Sequence, residues 1–214
     1  MTEKESKDRQ RVAALYEYER QAREEGFNLV AGVDEAGRGP LAGPVAVAAV
    51  ILPKEIYLPY LNDSKKLSEK RREILFDMIK EQAVAYSVVF VDKNTIDREN
   101  IYQATQNGMY DAILKLNPKP DKILIDAMPL EKLPIPHLSI VKGDAKSASI
   151  AAASILAKVT RDRFMREMDA IYPEYGFKNH KGYGTKAHIE AIKKYGPCPL
   201  HRETFEPIKS MIGR

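Results

Sequence analysis

The apolar residues near the N-terminus follow the pattern of two β-strands. Residues 28–33 form a first strand-like run, and residues 44–52 form a second run that is apolar throughout. A continuous apolar run is typical of a strand whose two faces are both buried. The glycine-rich segment between them, residues 37–43, suits a tight connection. The pattern therefore predicts two adjacent strands at the start of a sheet.

The remainder of the chain alternates between helical and strand-like patterns. Ser68 predicts the N-cap of one helix, and a second helix over residues 94–116, broken near Arg98, ends before Pro118. Further helices are predicted over residues 147–172, which are rich in alanine, and 185–195. Further strands are predicted over residues 86–91, 122–126 and 138–141. This order predicts a single α/β domain with a mixed sheet.

The N-terminal segment has a different character. Residues 3–25 contain six bases and seven acids, with a thin apolar stripe at helical spacing. The stripe consists of Val12, Leu15, Tyr16 and Ala22. This pattern favours a helix packed loosely on the domain, or a partly frayed arm. We therefore divide the chain into an N-terminal helical extension, residues 1–26, and one main domain, residues 27–214.

Composition narrows the class of protein. The chain has 214 residues, of which 44% are hydrophobic and 30% charged, as in an ordinary globular domain. No window approaches the ~18 consecutive apolar residues of a membrane helix, and the start, MTEKESKDRQ, lacks the apolar core of a secretory signal. A single cysteine, Cys198, excludes an internal disulfide. We expect a cytoplasmic monomer without membrane contact.

Positive charge is concentrated in the last third of the chain. From Lys142 onward, 14 Lys and Arg face 8 Asp and Glu, a net charge of +6, whereas the first 141 residues carry 20 against 22, a net charge of −2. A basic region of this kind suits a phosphate backbone. The alternative is a solvated helical surface.

Acidic residues occur at the ends of three predicted strands. Asp34 and Glu35 follow the first strand, Asp126 ends the strand over residues 122–126, and Asp144 comes just before the alanine-rich helix. If these strands are neighbours, the carboxylates converge, and they need a cation to stay ionised. Oxygen ligands without thiolates indicate Mg²⁺ or Mn²⁺. Taken alone, each acid could also be a turn or N-cap residue, and for Asp144 alone this simpler interpretation is favoured. The three sites taken together favour a metal.

Paired cations on carboxylates are used for phosphodiester hydrolysis, and other chemistries fit this sequence less well. The four histidines are scattered, and none lies next to a strand carboxylate: His137, His180, His188 and His201. Neither a GxxxxGK[ST] phosphate loop nor a GxSxG elbow occurs. Cys198 with His201 would supply half of a zinc site, but a second pair is missing. We therefore expect Cys198 to be a small buried apolar residue.

Five motifs in order resemble those of the ribonuclease HII family. They are DEAGRGPLAGP at residues 34–44, DSKKLS at 63–68, ID at 125–126, GDAKS at 143–147 with its helical continuation to 162, and HKGYGTK at 180–186. The resemblance extends from about residue 29 to residue 206. It implies a ribonuclease H-like fold, a central mixed β-sheet flanked by helices, with a C-terminal helical segment.

The same resemblance implies an activity and a set of site residues. It implies cleavage on the 5′ side of a ribonucleotide, in RNA–DNA hybrids and at single ribonucleotides in duplex DNA, and with it ribonucleotide excision in DNA replication and repair. The implied metal ligands for Mg²⁺ or Mn²⁺ are Asp34, Glu35, Asp126 and Asp144. The implied substrate contacts are Gly37, Arg38 and Gly39 to the ribose 2′-hydroxyl, Tyr183 to the adjoining sugar, and Lys65, Lys146 and Ser147 to phosphates.

The chemistry of these residue types is consistent with the implied roles. Glycines let the backbone approach a ligand, and a 2′-hydroxyl both donates and accepts hydrogen bonds, so a loop can recognise it without a side chain. A tyrosine between two glycines has a free face for stacking. The simpler alternatives are a hairpin turn at residues 37–39, a half-buried rim residue at Tyr183 and a solvated face at Lys65.

Two other classes of protein remain as alternatives. A DNA-joint resolvase or integrase of similar fold would share the carboxylates but ignore the ribose, and a non-catalytic nucleic-acid-binding module would hold a structural metal without turnover. The complete acid set argues against the second. For the C-terminal residues 205–212, a packed segment is favoured over a tail motif for a partner, and contact with a replication clamp stays open.

Overall fold

The computed structural model describes residues 2–213, which form a five-stranded sheet flanked by helices. The strands are β1 (Val30–Ala36), β2 (Val45–Ile51), β3 (Ala85–Val91), β4 (Lys122–Asp126) and β5 (His137–Ile140). Their order across the sheet is β3-β2-β1-β4-β5. β1 pairs antiparallel with β2 and parallel with β4, so the sheet is mixed, as predicted.

Helices cover both faces of the sheet. They are α1 (Glu3–Ala14), α2 (Glu17–Glu24), α3 (Glu69–Gln82), α4 (Lys93–Glu99), α5 (Ile101–Leu114), α6 (Ala148–Ile171), α7 (Phe177–His180), α8 (Lys186–Tyr195) and α9 (Ile208–Met211). One hydrophobic core lies between the sheet and α1, α3 and α6, and a second lies between the sheet and α5. β2 is buried along its whole length between these two cores, as its apolar run predicted.

The first turn of α6 lies directly against β1. A Cβ atom at Gly32 would come within 2.1 Å of the backbone carbon of Ser149, so only a glycine lets the helix approach this strand so closely. The alanines that follow Ser149 keep the rest of the helix close to the sheet. This contact helps to position Asp144, which lies in a short turn four residues before Ala148, relative to the end of β1.

The N-terminal segment packs more tightly than its composition predicted. It forms two helices, and Tyr16 between them is 1% exposed, with its hydroxyl donating to the carbonyl of Ile56. Glu19 is also buried; its Oε1 accepts hydrogen bonds from the hydroxyls of Ser147 and Ser149 and from the backbone N–H of Ser149. A loosely packed or frayed arm is therefore wrong, because these helices are joined to the start of α6.

Most other predicted elements are confirmed, with one difference. β1 continues to Ala36, so Asp34 and Glu35 lie inside this strand instead of following it. The break predicted near Arg98 lies at Asn100, whose φ of 68° ends α4 and whose side chain caps α5. The C-terminal segment packs as predicted, with Ile208 fully buried. Within residues 2–213, no helix is long and apolar enough to cross a membrane.

Candidate active site

Three carboxylates meet at one edge of the sheet. Asp34 in β1, Asp126 at the end of β4 and Asp144 after β5 each offer an oxygen, and these oxygens lie within 4.8 Å of one another. The register explains this convergence, since Val33 pairs with Ile125 and the next residue of each strand is an acid. The backbone N–H of Gly143 donates to Asp126 Oδ1 at 2.6 Å, which holds the turn containing Asp144 against β4.

The cluster is poorly suited to three uncompensated negative charges. Burial raises the pKa of Asp34 well above its usual value of 3.8, and the neighbouring Glu35 and Asp126 add to the rise. Burial and Asp126 likewise raise the pKa of Asp144. Either protons or cations must therefore neutralise the cluster, because the surrounding protein supplies too little positive charge.

Glu35 lies beside this cluster but outside the group of three. Burial raises its pKa, and Arg38, whose guanidinium lies 3.4 Å from Glu35 Oε1, partly offsets that rise. Its other oxygen, Oε2, is buried without a hydrogen-bond partner among the described residues. Successive residues of a strand point to opposite faces, which separates Glu35 from Asp34. The free oxygen is a further candidate ligand for a cation.

Two clefts adjoin the carboxylates. The first has a volume of about 370 Å³. Its lining includes Asp34, Glu35, Gly37, Arg38, Gly39, Lys65, Lys158, Arg161 and Tyr183. The second has a volume of about 460 Å³. Its lining includes Asp63, Lys65, Lys66, Asp126, Lys142 and Asp144. A polynucleotide strand running over the acids would contact both clefts.

Most of the predicted substrate residues line the first cleft. Tyr183 is 44% exposed, and one edge of its ring lies 3.8 Å from the position that a Cβ at Gly39 would occupy. Lys65 lies in both clefts; burial lowers its pKa, but Asp144, Asp34 and other acids outweigh burial and raise it overall. Lys65 therefore stays charged beside the carboxylates.

Lys146 and Ser147, the other two predicted substrate contacts, are not among the residues that line the two clefts. Lys146 is exposed, whereas Ser147 is completely buried. The Ser147 hydroxyl donates to Glu19 and accepts the N–H of Ile150, so this side chain caps α6 instead of facing either cleft. The structure therefore gives Ser147 a role in positioning α6, which differs from the predicted phosphate contact.

Two buried arginines, neither of which was predicted as a site residue, hold the glycine-rich loop. Arg202 donates to the carbonyls of Gly37 at 2.6 Å, Arg38 at 2.8 Å and Gly43 at 3.0 Å. Arg161 donates to the carbonyls of Pro44, Ala42 and Lys181. Burial lowers the pKa of Arg161 to about 10 and that of Arg202 to about 9, so both remain charged at neutral pH.

These arginines orient the peptide groups of the loop. In a trans peptide the C=O and the following N–H point in opposite directions. Because Arg202 holds the carbonyls of Gly37 and Arg38 from inside, the N–H groups of Arg38 and Gly39 point the other way. The loop thus presents backbone donors on the side away from Arg202.

Three of the four histidines, which appear scattered along the chain, are close in the structure. The rings of His180 and His188 stack with centroids 4.3 Å apart, and those of His188 and His201 lie 5.2 Å apart. His137 belongs to β5, elsewhere in the fold. Cys198 is half-buried beside His201, with its backbone N–H donating to His201 Nδ1.

Known proteins resemble this chain in sequence and in fold. The family model described as Ribonuclease HII matches residues 31–208. A ribonuclease HII from Bacillus cytotoxicus is 57% identical over 207 residues, which cover 96% of this chain and 79% of that protein. The ribonuclease H2 from Pyrococcus horikoshii OT3 superposes with a TM-score of 0.74 at 30% identity, covering 87% of this chain and 98% of that one.

A second solved structure is that of a PCNA:RNase HII complex from Archaeoglobus fulgidus. It superposes with a TM-score of 0.72 at 28% identity, over 84% of this chain and 96% of that one. The region that the family model matches includes both strands and the turn that carry the three converging carboxylates.

Proposed function

This chain belongs to the ribonuclease HII family, and we propose that it cuts the phosphodiester on the 5′ side of a ribonucleotide by two-metal-ion catalysis. The chain is a ribonuclease H, an endonuclease acting on RNA–DNA hybrids. The proposal adds single ribonucleotides in duplex DNA as substrates, with 3′-hydroxyl and 5′-phosphate ends as products. The observation that carries it is the convergence of Asp34, Asp126 and Asp144 beside a loop of backbone donors.

The donor set fits divalent cations such as Mg²⁺ or Mn²⁺. Three carboxylate oxygens lie within 4.8 Å of one another, and Glu35 contributes a buried oxygen without a partner among the described residues. In this proposal Asp34, Glu35, Asp126 and Asp144 hold the ions. When bound, such ions activate water and stabilise the leaving oxygen. The surrounding protein orients the carboxylates, as the hydrogen bond from Gly143 to Asp126 illustrates.

The first cleft supplies the means to recognise a ribose. The N–H groups of Arg38 and Gly39 face away from Arg202, and Gly39 leaves room for a sugar to approach them. A 2′-hydroxyl in that position would accept a hydrogen bond that deoxyribose cannot form. Tyr183, across from Gly39, would stack on the adjoining sugar. Lys65 and the Arg38 guanidinium would hold the flanking phosphates.

Matched duplexes that differ by one 2′-hydroxyl test this proposal. We expect cleavage on the 5′ side of the ribonucleotide in Mg²⁺ or Mn²⁺, none in a chelator, and binding with little cutting of the all-DNA duplex. Equal rates on the two duplexes would indicate a general nuclease of the resolvase type. Product ends are read on the same gel, and a 2′,3′-cyclic phosphate would exclude attack by water.

A further inference from the structure

A chain of hydrogen bonds through two buried histidines ends on the backbone of Tyr183. His188 Nδ1 lies 2.8 Å from the Tyr183 carbonyl, and His188 Nε2 lies 3.1 Å from His201 Nε2. His201 Nδ1 in turn lies 2.9 Å from the backbone N–H of Cys198. His188 and His201 are 0% and 1% exposed, so water does not compete for these contacts.

The closest partners of the two rings assign the protons along these hydrogen bonds, since His201 Nδ1 lies closer to the Cys198 N–H, at 2.9 Å, than to the Cys198 carbonyl, at 3.3 Å. The Tyr183 carbonyl only accepts, so His188 Nδ1 carries its proton and His188 Nε2 accepts. His201 Nε2 therefore donates, and His201 Nδ1 accepts the N–H of Cys198. Each ring uses one donor and one acceptor, which a neutral imidazole has and a charged one lacks. Each group thus donates to the next: the Cys198 N–H to His201, His201 to His188, and His188 to the Tyr183 carbonyl.

A third histidine holds the neighbouring peptide. His180 Nε2 lies 2.8 Å from the Tyr175 carbonyl, and His180 Nδ1 accepts the N–H of Gly182 at 3.2 Å. This segment needs such support, because Gly182 has a φ of 84° and Lys181, before it, a φ of 52°, where a side chain is disfavoured. The backbone on both sides of the Tyr183 amide is therefore held by imidazoles, while the tyrosine ring stays 44% exposed.

We propose that His201 and His188 form a positioning relay that sets the Tyr183 ring against the sugar of a bound substrate. The inference rests on the proposed stacking role of Tyr183 and assigns the relay no contact with substrate. Tyr183 lies at the end of a short turn with an exposed ring. Its carbonyl accepts one hydrogen bond from His188 Nδ1 and one from the backbone N–H of Thr185, each at 2.8 Å, and these two bonds together limit how far the ring can move from the cleft.

Two substitutions at position 188 separate the halves of the relay. His188→Asn places an amide N–H near the position of Nδ1, so it keeps the bond to Tyr183 and loses His201. His188→Gln places an amide oxygen near the position of Nε2, so it keeps His201 and loses Tyr183. Both remove the ring, and asparagine, one methylene shorter than glutamine, leaves the larger cavity at this buried site. A loss of packing alone would therefore make the asparagine variant slower, whereas a positioning role makes the glutamine variant slower.

The measurements are single-turnover cleavage of a duplex with one ribonucleotide, duplex binding in a chelator, and Tm. We expect His188→Gln to lower the cleavage rate roughly 5- to 150-fold with binding nearly unchanged, and His188→Asn to retain most of the rate. In a Tyr183→Ala background neither change should slow cleavage further. Equal losses for the two variants, or losses that multiply with Tyr183→Ala, would overturn the proposal.

The same experiment distinguishes the relay from the function on which it rests. If Tyr183→Ala cleaves at the wild-type rate, the stacking role is wrong and the relay has nothing to position. If Tyr183→Ala is slow while His188→Gln is normal, only the relay is wrong. Should both changes at 188 prevent folding, His201→Gln, which keeps a donor to His188, is compared with His201→Phe, which removes it. We expect the phenylalanine variant to be slower, and equal rates would reject the relay.

Discussion

At the scale of single residues, the proposed metal binding by the carboxylate cluster depends on the negative charge of its side chains more than on their shape. Asp126 ends β4 and accepts the N–H of Gly143, so its side chain both contributes to the proposed metal site and holds the turn of Asp144. An asparagine has nearly the same volume and can keep that hydrogen bond through its amide oxygen. The change therefore isolates the negative charge from the structural contact.

We expect Asp126→Asn to remove nearly all turnover while leaving the fold and duplex binding largely intact. The measurement is cleavage in Mg²⁺ together with binding and Tm. Asp77→Asn, an exposed change of the same charge on α3, serves as the control and should cleave normally. Near wild-type cleavage by Asp126→Asn would contradict the ligand assignment.

Gly37 and Gly39 differ in the space that is available for the methyl group of an alanine. A Cβ at Gly37 would lie 2.0 Å from Arg161 Nε at a φ of 99°, whereas a Cβ at Gly39 would meet only the Tyr183 ring at 3.8 Å. Substitution of Gly37 therefore strains the backbone and displaces a buried arginine. At Gly39 the added methyl group enters the cleft without disturbing the protein.

We expect Gly37→Ala to destabilise the fold by about 1–3 kcal/mol and Gly39→Ala to leave Tm unchanged. Both should slow cleavage at a single ribonucleotide, but only Gly39→Ala should do so in a fully folded protein with normal duplex binding. Thermal unfolding and cleavage assays on both variants measure this difference. Full activity of Gly39→Ala would mean that no sugar approaches this residue.

At the scale of elements, α2 supports the first turn of α6. Glu19 Oε1 accepts three hydrogen bonds from Ser147 and Ser149, all of them buried. The turn that carries Asp144 comes directly before this point. The N-terminal helices, which lie outside the family motifs, therefore contribute to the placement of one proposed metal ligand.

We expect Glu19→Ala to lower the free energy of unfolding by at least about 2 kcal/mol, because it leaves buried donors without an acceptor. In a chain of this size that corresponds to a fall in Tm of roughly 4–8 °C. Glu17→Ala, on the exposed side of α2, is the matched control and should leave Tm nearly unchanged. An equal Tm for the two variants would show that α2 does not support α6.

At the scale of the whole molecule, the buried histidines make stability depend on pH. Burial lowers the pKa of His188 and of His201 from 6.5 to about 4. Between these values the unfolded chain binds protons that the folded protein excludes, so the free energy of unfolding falls as the pH falls from about 6.5 to about 4. Acids with a raised pKa, such as Asp34, act in the opposite direction.

We expect His201→Phe to flatten this dependence, because one of the two excluded protons is removed while the acids stay the same. The measurement is Tm against pH for both proteins in a chelator. The two curves should converge as the pH falls from 6.5 to 4. Parallel curves would mean that His201 does not exclude a proton in the folded protein.

Fewer of the basic residues after position 141 are available to bind phosphate than the net charge of this region suggests. Some of the basic residues after position 141 are committed to the protein itself: Arg161 and Arg202 are buried, and Arg163 and Arg166 pair with acids of α3. The exposed cations that adjoin the carboxylates are Arg38, Lys65, Lys66 and Lys142. These four are the candidates for phosphate contacts.

We expect duplex affinity to fall roughly 100-fold between 50 and 200 mM salt, as ~4 phosphate contacts would produce. Lys66→Gln should reduce the slope of log affinity against log salt by about one contact. Lys186→Gln, an exposed change on α8, should leave the slope unchanged. A flat dependence would argue against a phosphate-tracking surface at the two clefts.

The sequence by itself determined the features that are local. The apolar run of β2, the cap Ser68 and the acid at the end of β4 were each predicted from a few neighbouring residues, because strand burial and helix capping depend on short-range patterns. The five motifs are local in the same sense, since each is a short string of consecutive residues, and together they indicate the family.

Only the tertiary structure decided which distant groups meet. Arg202 holds the carbonyl of Gly37 across 165 residues, Glu19 accepts from Ser149 across 130, and three separated histidines pack together beside the Tyr183 turn. No local pattern contains these contacts. They arise because buried donors and acceptors must find partners once the chain is closed around its core, and the partner is whichever group the packing of strands and helices brings within reach.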